Sequence, residues 1–427
     1  KLVELLKDKE SRVRYFAALS LGKLKHGPAF EPLCQMLAEN NDKDPILRHG
    51  GVMGLTGCAE VKQLADKAGH GSSAVRVGAL LALRRQKSPE IARFLADGDH
   101  SIVLEAARAI HDVPIEGAFP ALADLITKRQ FKDRNILSRV VNAQYRLGKS
   151  ENARALAAFA AAKDVPEAGR KDAIDALAEW GHPNAKDRVL NLWRPLPDRS
   201  SDDARGAIAA VATQLVKDSP AGVQEMVAKA ISNLSIKDAG EPLFQLAMND
   251  KASTGARVAA IQALASLKDG RLPQIAKLAV SDKDSRVRNE GLQALAGADP
   301  GAAVKVIGEI IVNGGRAERQ SALVALTQIK RPEAHALLNS LMDALIAGKA
   351  PATVQLDIYE AARRADTQEL KEKIAKYKAS LPAEDPMAQY RMSLEGGDED
   401  KGRKIFREKA EVQCLRCHKA EIGDSLV

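Results

Sequence analysis

Aromatic residues are scarce in this 427-residue chain: Phe, Trp and Tyr make up 4% of it, against 45% hydrophobic residues in all. Strands of sandwiches, barrels and propellers draw on aromatic and β-branched side chains, so this scarcity argues against an all-β fold. Cysteine is sparse too, and four in a chain of this length cannot make a disulfide framework. No apolar run approaches the ~18 residues that span a bilayer as a helix. Charged residues at 28%, beside that apolar content, exclude wholesale disorder. What is present is alanine and leucine at helical spacing, which predicts an all-α chain.

The chain opens KLVELLKDKE, without Met and with Leu2, Val3, Leu5 and Leu6 already spaced as inside a helix. It stops shortly after a cysteine motif, at Val427. Both ends are expected to be cuts in a longer protein, so the lack of a secretory leader carries no weight.

One phrase recurs: an acidic or polar turn, then a helix in which an apolar residue follows an arginine by seven positions. It runs Arg14 to Leu21, Arg48 to Leu55, Arg76 to Leu83, Arg170 to Leu177, Arg257 to Leu264, Arg288 to Leu295 and Arg319 to Leu326. Degenerate copies start at Val103, Gln224 and Gln355. Each copy follows a shorter apolar helix that often begins near a proline, such as Pro28 or Pro273, where the missing amide breaks no helical bond. Turns such as Asp8-Lys9-Glu10-Ser11 and Asp282-Lys283-Asp284-Ser285 offer caps to the next helix. Small residues at Ala17, Gly51, Ala79 and Ala260 predict close helix approach. Helix pairs of this length and pattern resemble HEAT repeats, including the HEAT-like repeats of bilin lyases. The resemblance implies an α-solenoid over 1–379, of some eleven or twelve units, least regular at 127–165 and 182–220. For function it implies a stacked surface that binds something.

The net charge is +8, and residues 380–427 carry eight Lys/Arg against ten Asp/Glu, which puts the excess on the repeats. A polyanion-binding face would use that excess. The scarcity of aromatics for base stacking and the lack of a basic run argue against nucleic acid. Pairing of the recurrent arginines with turn acids of adjacent repeats accounts for the pattern better.

Beyond a linker at 380–397, rich in Pro and Gly, the sequence reads GDEDKGRKIFREKAEVQCLRCHKAE. Acidic residues 398–400 suit a helix start, and Gly402, Ile405 and Phe406 share one helical face. Cys414-Leu415-Arg416-Cys417-His418 follows. Two thiols three residues apart can each add to a haem vinyl group, and the adjacent histidine can bind the iron. A dithiol redox pair would follow a strand in a βαβ pattern, and none is predicted. Half a zinc site would need further Cys or His nearby, and the flanks have none. A surface disulfide leaves His418 unexplained.

The segment 398–427 looks like the first helix and attachment site of a class I cytochrome c. That likeness implies packing roles for Gly402 and Phe406, thioether bonds at Cys414 and Cys417, and His418 as the proximal iron ligand. The distal methionine of such domains lies well downstream, and Met387 and Met392 are poor substitutes. HEAT repeats running into this motif resemble the haem-binding CxxCH proteins of the Pirellula/Verrucomicrobium type. Those are described as membrane-bound dehydrogenases, in which a β-propeller often precedes the repeats. The resemblance implies one covalent haem c, an extracytoplasmic location, and an electron donor or acceptor that is a separate protein or a fused dehydrogenase domain. Whether the protein meets a membrane stays open.

Other candidates are weaker. Cys34 and Cys58 read as small buried hydrophobes. Gly69-His70-Gly71 mimics a dinucleotide fingerprint without the strand it needs. Asp282-Lys283-Asp284 begins like a calcium loop and fails at Arg286. His26, His49, His70, His100, His111, His182 and His335 have no mutual ligand spacing, and no catalytic nucleophile with a base can be assembled. A chromophore lyase would rest on repeat similarity alone. The expected function is haem-based electron transfer on a HEAT scaffold, the alternative a protein- or polyanion-binding scaffold whose CxxCH binds zinc or is incidental.

Overall fold

A computed structural model describes residues 1–397, 399–409 and 411. These residues form helices joined mostly by short turns, with one long excursion between Ala178 and Asp202. The one bridge between extended residues among them joins Lys186 and Trp193.

In chain order the helices are α1 (Ser11–Lys23), α2 (Phe30–Asn40), α3 (Pro45–Cys58), α4 (Val61–Asp66), α5 (Ser73–Arg85), α6 (His100–Asp112), α7 (Phe119–Lys128) and α8 (Arg134–Leu147). Then come α9 (Ser150–Ala161), α10 (Glu167–Ala178), α11 (Asp202–Asp218), α12 (Ala221–Asn233), α13 (Gly240–Met248), α14 (Thr254–Ser266) and α15 (Leu272–Ala279). The last are α16 (Ser285–Ala298), α17 (Pro300–Asn313), α18 (Arg316–Gln328), α19 (Pro332–Ile346), α20 (Gln355–Ala365), α21 (Gln368–Ala379) and α22 (Glu399–Glu408). Residues 1–7, expected to be helical, hold only a 3₁₀ turn at Glu4–Lys7, which buries Leu6.

The chain divides into two compact units, Lys1–Leu246 and the residues from Ala247 onward. In the first, α1, α3, α5, α6, α8, α10 and α12 pack each against the next. In the second, α14, α16, α18 and α20 do the same. A second helix follows each of these, or at Pro89–Ala96 a 3₁₀ stretch, giving eleven helix pairs among the described residues. All-α, HEAT-like stacking is therefore the fold of the repeat region.

All seven recurrent arginines are the fourth residue of their helix. Side chains on a helix lean toward its N-terminus, so an arginine there reaches the turn before its own helix. Arg170 Nε donates to Ala160 O at 2.6 Å, Arg257 Nε to Ala247 O at 3.1 Å and Arg319 Nη2 to Val312 O at 2.9 Å. These carbonyls lie at or near the C-terminus of the preceding helix, where no amide of that helix remains to bond them. Three of the arginines also reach forward: Arg76 to Asp97, Arg257 to Asp282 and Arg288 to Glu318. These are repeat-to-repeat pairings of recurrent arginines with acidic residues at or just after the next turn.

The acidic turns work as caps. Asp44, Asp99 and Asp284 accept from amides in the first turn of α3, α6 and α16. At the first such turn Glu10 holds the cap position without a side-chain cap bond, and Asp8 accepts the Glu10 amide instead. Small residues bring α3 close to both α1 and α2. A Cβ on Gly22 would sit 2.6 Å from Met53 O, and one on Gly51 2.6 Å from a methyl of Leu37.

Two expected irregularities are corrected. Residues 127–165 hold the ordinary helices α8 and α9. In α8, Leu137 occupies the arginine position and Gln144 the apolar one, and Gln144 is buried regardless, donating to Ala123 O. Within 182–220 only the stretch up to Ser201 departs from the repeat, since α11 and α12 are regular. After α21 the chain turns back in the 3₁₀ segment Ala388–Ser393, which packs on α20 and buries Met392. Gly397 O then accepts from Gln320 Nε2 of α18 at 3.0 Å. No helix among the described residues is long and apolar enough to cross a membrane.

Candidate functional site

Cys414, Cys417 and His418 lie outside the described residues, and so does any haem site they form. The helix predicted before them is present as α22. Ile405 is half exposed, and nothing described lies within 4 Å of where a Gly402 Cβ would stand. Met392, one of the two upstream methionines, is buried, whereas Met387 is exposed.

The other candidates resolve as structural parts. Cys34 and Cys58 are free and buried, and burial pushes the Cys34 thiol up to about 12 and raises that of Cys58, so neither is a ready thiolate. Gly69-His70-Gly71 is a turn in which His70 Nδ1 accepts the Ser72 amide. In the calcium-like stretch Asp282 pairs with Arg257 while Asp284 caps α16 and accepts from Thr254 Oγ1 at 2.5 Å. Among the described residues no group of three or more His, Cys, Asp or Glu is placed to hold a metal ion.

What sequence reasoning missed is a buried polar cluster under the 179–201 excursion. It is assembled from three separate places: His111 and Asp112 at the end of α6, Arg139, Asn142 and Arg146 on α8, and Asp187 and Arg194 in the excursion. The side chains of His111 and Asp187 are both fully buried. His111 Nδ1 is 2.8 Å from Asp112 Oδ1, and Nε2 is 2.7 Å from Asn142 Nδ2. Asn142 Nδ2 also donates to Asp187 Oδ2 at 3.0 Å.

Asp187 joins the cluster to the excursion. Its Oδ1 accepts the amides of Val189 and Leu190, both at 2.9 Å, while Arg146 and Arg194 approach Oδ2 to 3.5 and 3.4 Å. Burial opposes its charge, but His111 and the two amides outweigh burial and hold the carboxyl well below the usual range. On Asp112, burial is likewise outweighed by His111 and by Arg139, which donates from Nε and Nη2 at 3.0 and 2.8 Å.

The excursion is pinned at further points. Arg199 lies 3.9 Å over the Trp180 ring and 4.8 Å over Tyr145, and donates to Trp180 O. Arg188 pairs with Asp175 and Glu179. Between these anchors residues 185–194 make a small hairpin, bonded Asp187 N to Leu192 O and Arg194 N to Ala185 O, with Asn191 in the left-handed region. Beside it opens a polar groove of about 380 Å³, lined by Arg134, Ser138, Arg139, Asp172, Arg188 and Val189. Burial raises the Asp172 carboxyl, against the pull of Arg188 and Arg134. The arrangement offers charge and hydrogen-bond donors to a partner. The only hints in the sequence were a His, an Asn and an Asp with no common spacing.

Comparison with known proteins agrees with the repeat reading. A profile of HEAT repeats matches residues 208–296. No curated protein matches the chain. Among solved structures, a substituted form of Kap121p superposes with a TM-score of 0.55 at 13% identity, covering 99% of this chain and 51% of that one. The karyopherin Kap121p bound to the extreme C-terminus of the protein phosphatase Cdc14p gives 0.52 at 12% identity, covering 97% and 52%. Uso1-2 gives 0.51 at 11%, covering 95% and 90%. The chain thus spans about half the length of the Kap121p structures it matches, and at these identities the likeness is one of fold.

Proposed function

We propose that this chain is a HEAT-repeat scaffold for protein partners that carries a c-type haem on its C-terminal segment and works in electron transfer. The haem part rests on one observation, the Cys414-Leu415-Arg416-Cys417-His418 spacing behind a Gly402/Phe406 helix. Cys414 and Cys417 would hold the porphyrin by thioethers and His418 the iron, and the bound haem would supply one-electron chemistry. The donor or acceptor is a separate protein or a fused dehydrogenase domain, and covalent attachment places the protein outside the cytoplasm. The scaffold part is supported by the helix pairs stacked within each unit and by the fold likeness to the karyopherin Kap121p, which has been solved bound to the SUMO protease Ulp1p and to the extreme C-terminus of the protein phosphatase Cdc14p.

The test is haem staining on a denaturing gel after co-expression with a cytochrome maturation system. Covalent stain and a Soret band are expected, both lost in Cys414→Ala/Cys417→Ala. No stain, with zinc in stoichiometric amount by elemental analysis, would replace haem by the zinc-bearing scaffold. The same experiment leaves the partner-binding role standing.

A further inference from the structure

The hairpin at 185–194 exposes side chains that the fold does not use. Trp193 is 73% exposed and its neighbour Leu192 56%. Tryptophan can bury ~150–250 Å² of surface, so leaving it in water forgoes a large apolar gain. Yet the hairpin is fastened beneath by Asp187, Arg188, Arg194 and Arg199. A tryptophan held out on a fixed support has little ordering left to lose on binding, and tryptophan is enriched among residues that dominate interface energies.

Basic residues lie on and beside the hairpin. Lys186 stands opposite Trp193 across the bridge, in the pair that exchanges no backbone bonds, so the two side chains share a face. Residues 128–154 hold eight Lys/Arg against two Asp/Glu. Of these, Arg139 and Arg146 are committed to Asp112 and Asp187, whereas Lys132 and Arg134 are exposed and, like Lys186, have no ion-pair partner among the described residues. Arg134 lines the groove whose other wall is Arg188 and Val189 of the same hairpin.

We infer that the hairpin and its groove are a docking surface for an acidic, extended segment of a partner protein. One apolar side chain of that segment packs on Trp193 and its carboxylates meet Lys186, Arg134 and Lys132. A nucleic acid fits less well. Asp133 and Asp172 interrupt the positive surface, and a single exposed ring offers one stacking site where single strands use several. The inference rests on the scaffold reading above and names the chemistry of one partner; it does not depend on haem.

A random peptide display library, selected against the full chain, tests it. Enriched peptides should combine two or more Asp/Glu with an aromatic or branched aliphatic residue. Trp193→Ala and Arg134→Glu should each weaken their binding at least tenfold, with far-UV circular dichroism unchanged. No enrichment, enrichment without acidic residues, or equal binding to both variants would overturn the inference. So would a single-stranded oligonucleotide or anionic vesicles binding the chain through Trp193 in place of peptide. Cross-links from partner proteins to other helices would preserve the scaffold reading while this surface failed.

Discussion

Arg257 and Asp282 tie two successive helix pairs together: Nη2 and Nη1 of the guanidinium lie 2.5 and 3.2 Å from the two carboxylate oxygens, while Nε holds Ala247 O. The arginine is almost fully buried, and Asp282 Oδ1 also accepts the Asp284 amide, so one carboxylate orders both the pair and the next cap.

Asp282→Asn should therefore destabilise the second unit by about 2 kcal/mol, because a nearly buried guanidinium keeps its desolvation cost and loses its counter-charge. Urea denaturation measures it. A change below about 0.5 kcal/mol would reduce the pair to a surface contact.

Asp187→Ala should loosen the hairpin and cost about 3 kcal/mol, by leaving Arg146 and Arg194 without their shared carboxylate. Limited trypsinolysis should show faster cleavage after Lys186 or Arg188 than in the parent. Unchanged cleavage would mean that the Trp180 and Arg199 stack alone holds the excursion.

Acid should destabilise the fold. Asp112, Asp187, Asp282 and Asp284 all have folded carboxyls below the ordinary value of about 3.9, Asp284 at about 2. Groups depressed by folding stabilise it fully above the unfolded pKa and lose that contribution as pH falls toward the folded one. The urea midpoint should hold between pH 7 and 5 and drop between pH 4 and 2. Asp172, Glu290 and Asp357, raised by burial, work in the opposite sense. A midpoint that rises on acidification would show that they dominate.

Gly57→Ala should part α1 from α3, because the new methyl would overlap the carbonyl of Gly22. Overpacking of this kind costs about 1–3 kcal/mol. Gly69→Ala, with open space around it, is the control and should change the thermal midpoint little.

Much of the fold was legible because the repeat is local. An arginine, an apolar residue seven positions on and an acidic turn are set by helix periodicity and capping, which act over a few residues. α8 escaped notice because Leu137 and Gln144 stand where the pattern expects arginine and an apolar residue, and tertiary partners let a glutamine be buried. Pairings such as Arg257 with Asp282 were foreseeable in kind, since turn acids recur at nearly the arginine period.

By itself the sequence determined an all-α chain of stacked pairs, the role of its turns, and the Cys414, Cys417 and His418 spacing that motivates haem. Only the tertiary structure decided that His111, Asn142 and Asp187 meet in one buried cluster, and that the cluster fixes a hairpin presenting Trp193. The reason is physical. A repeat is written by short-range periodicity, whereas a polar cluster drawn from residues 31 and 45 positions apart has no period and exists only once the helices have packed.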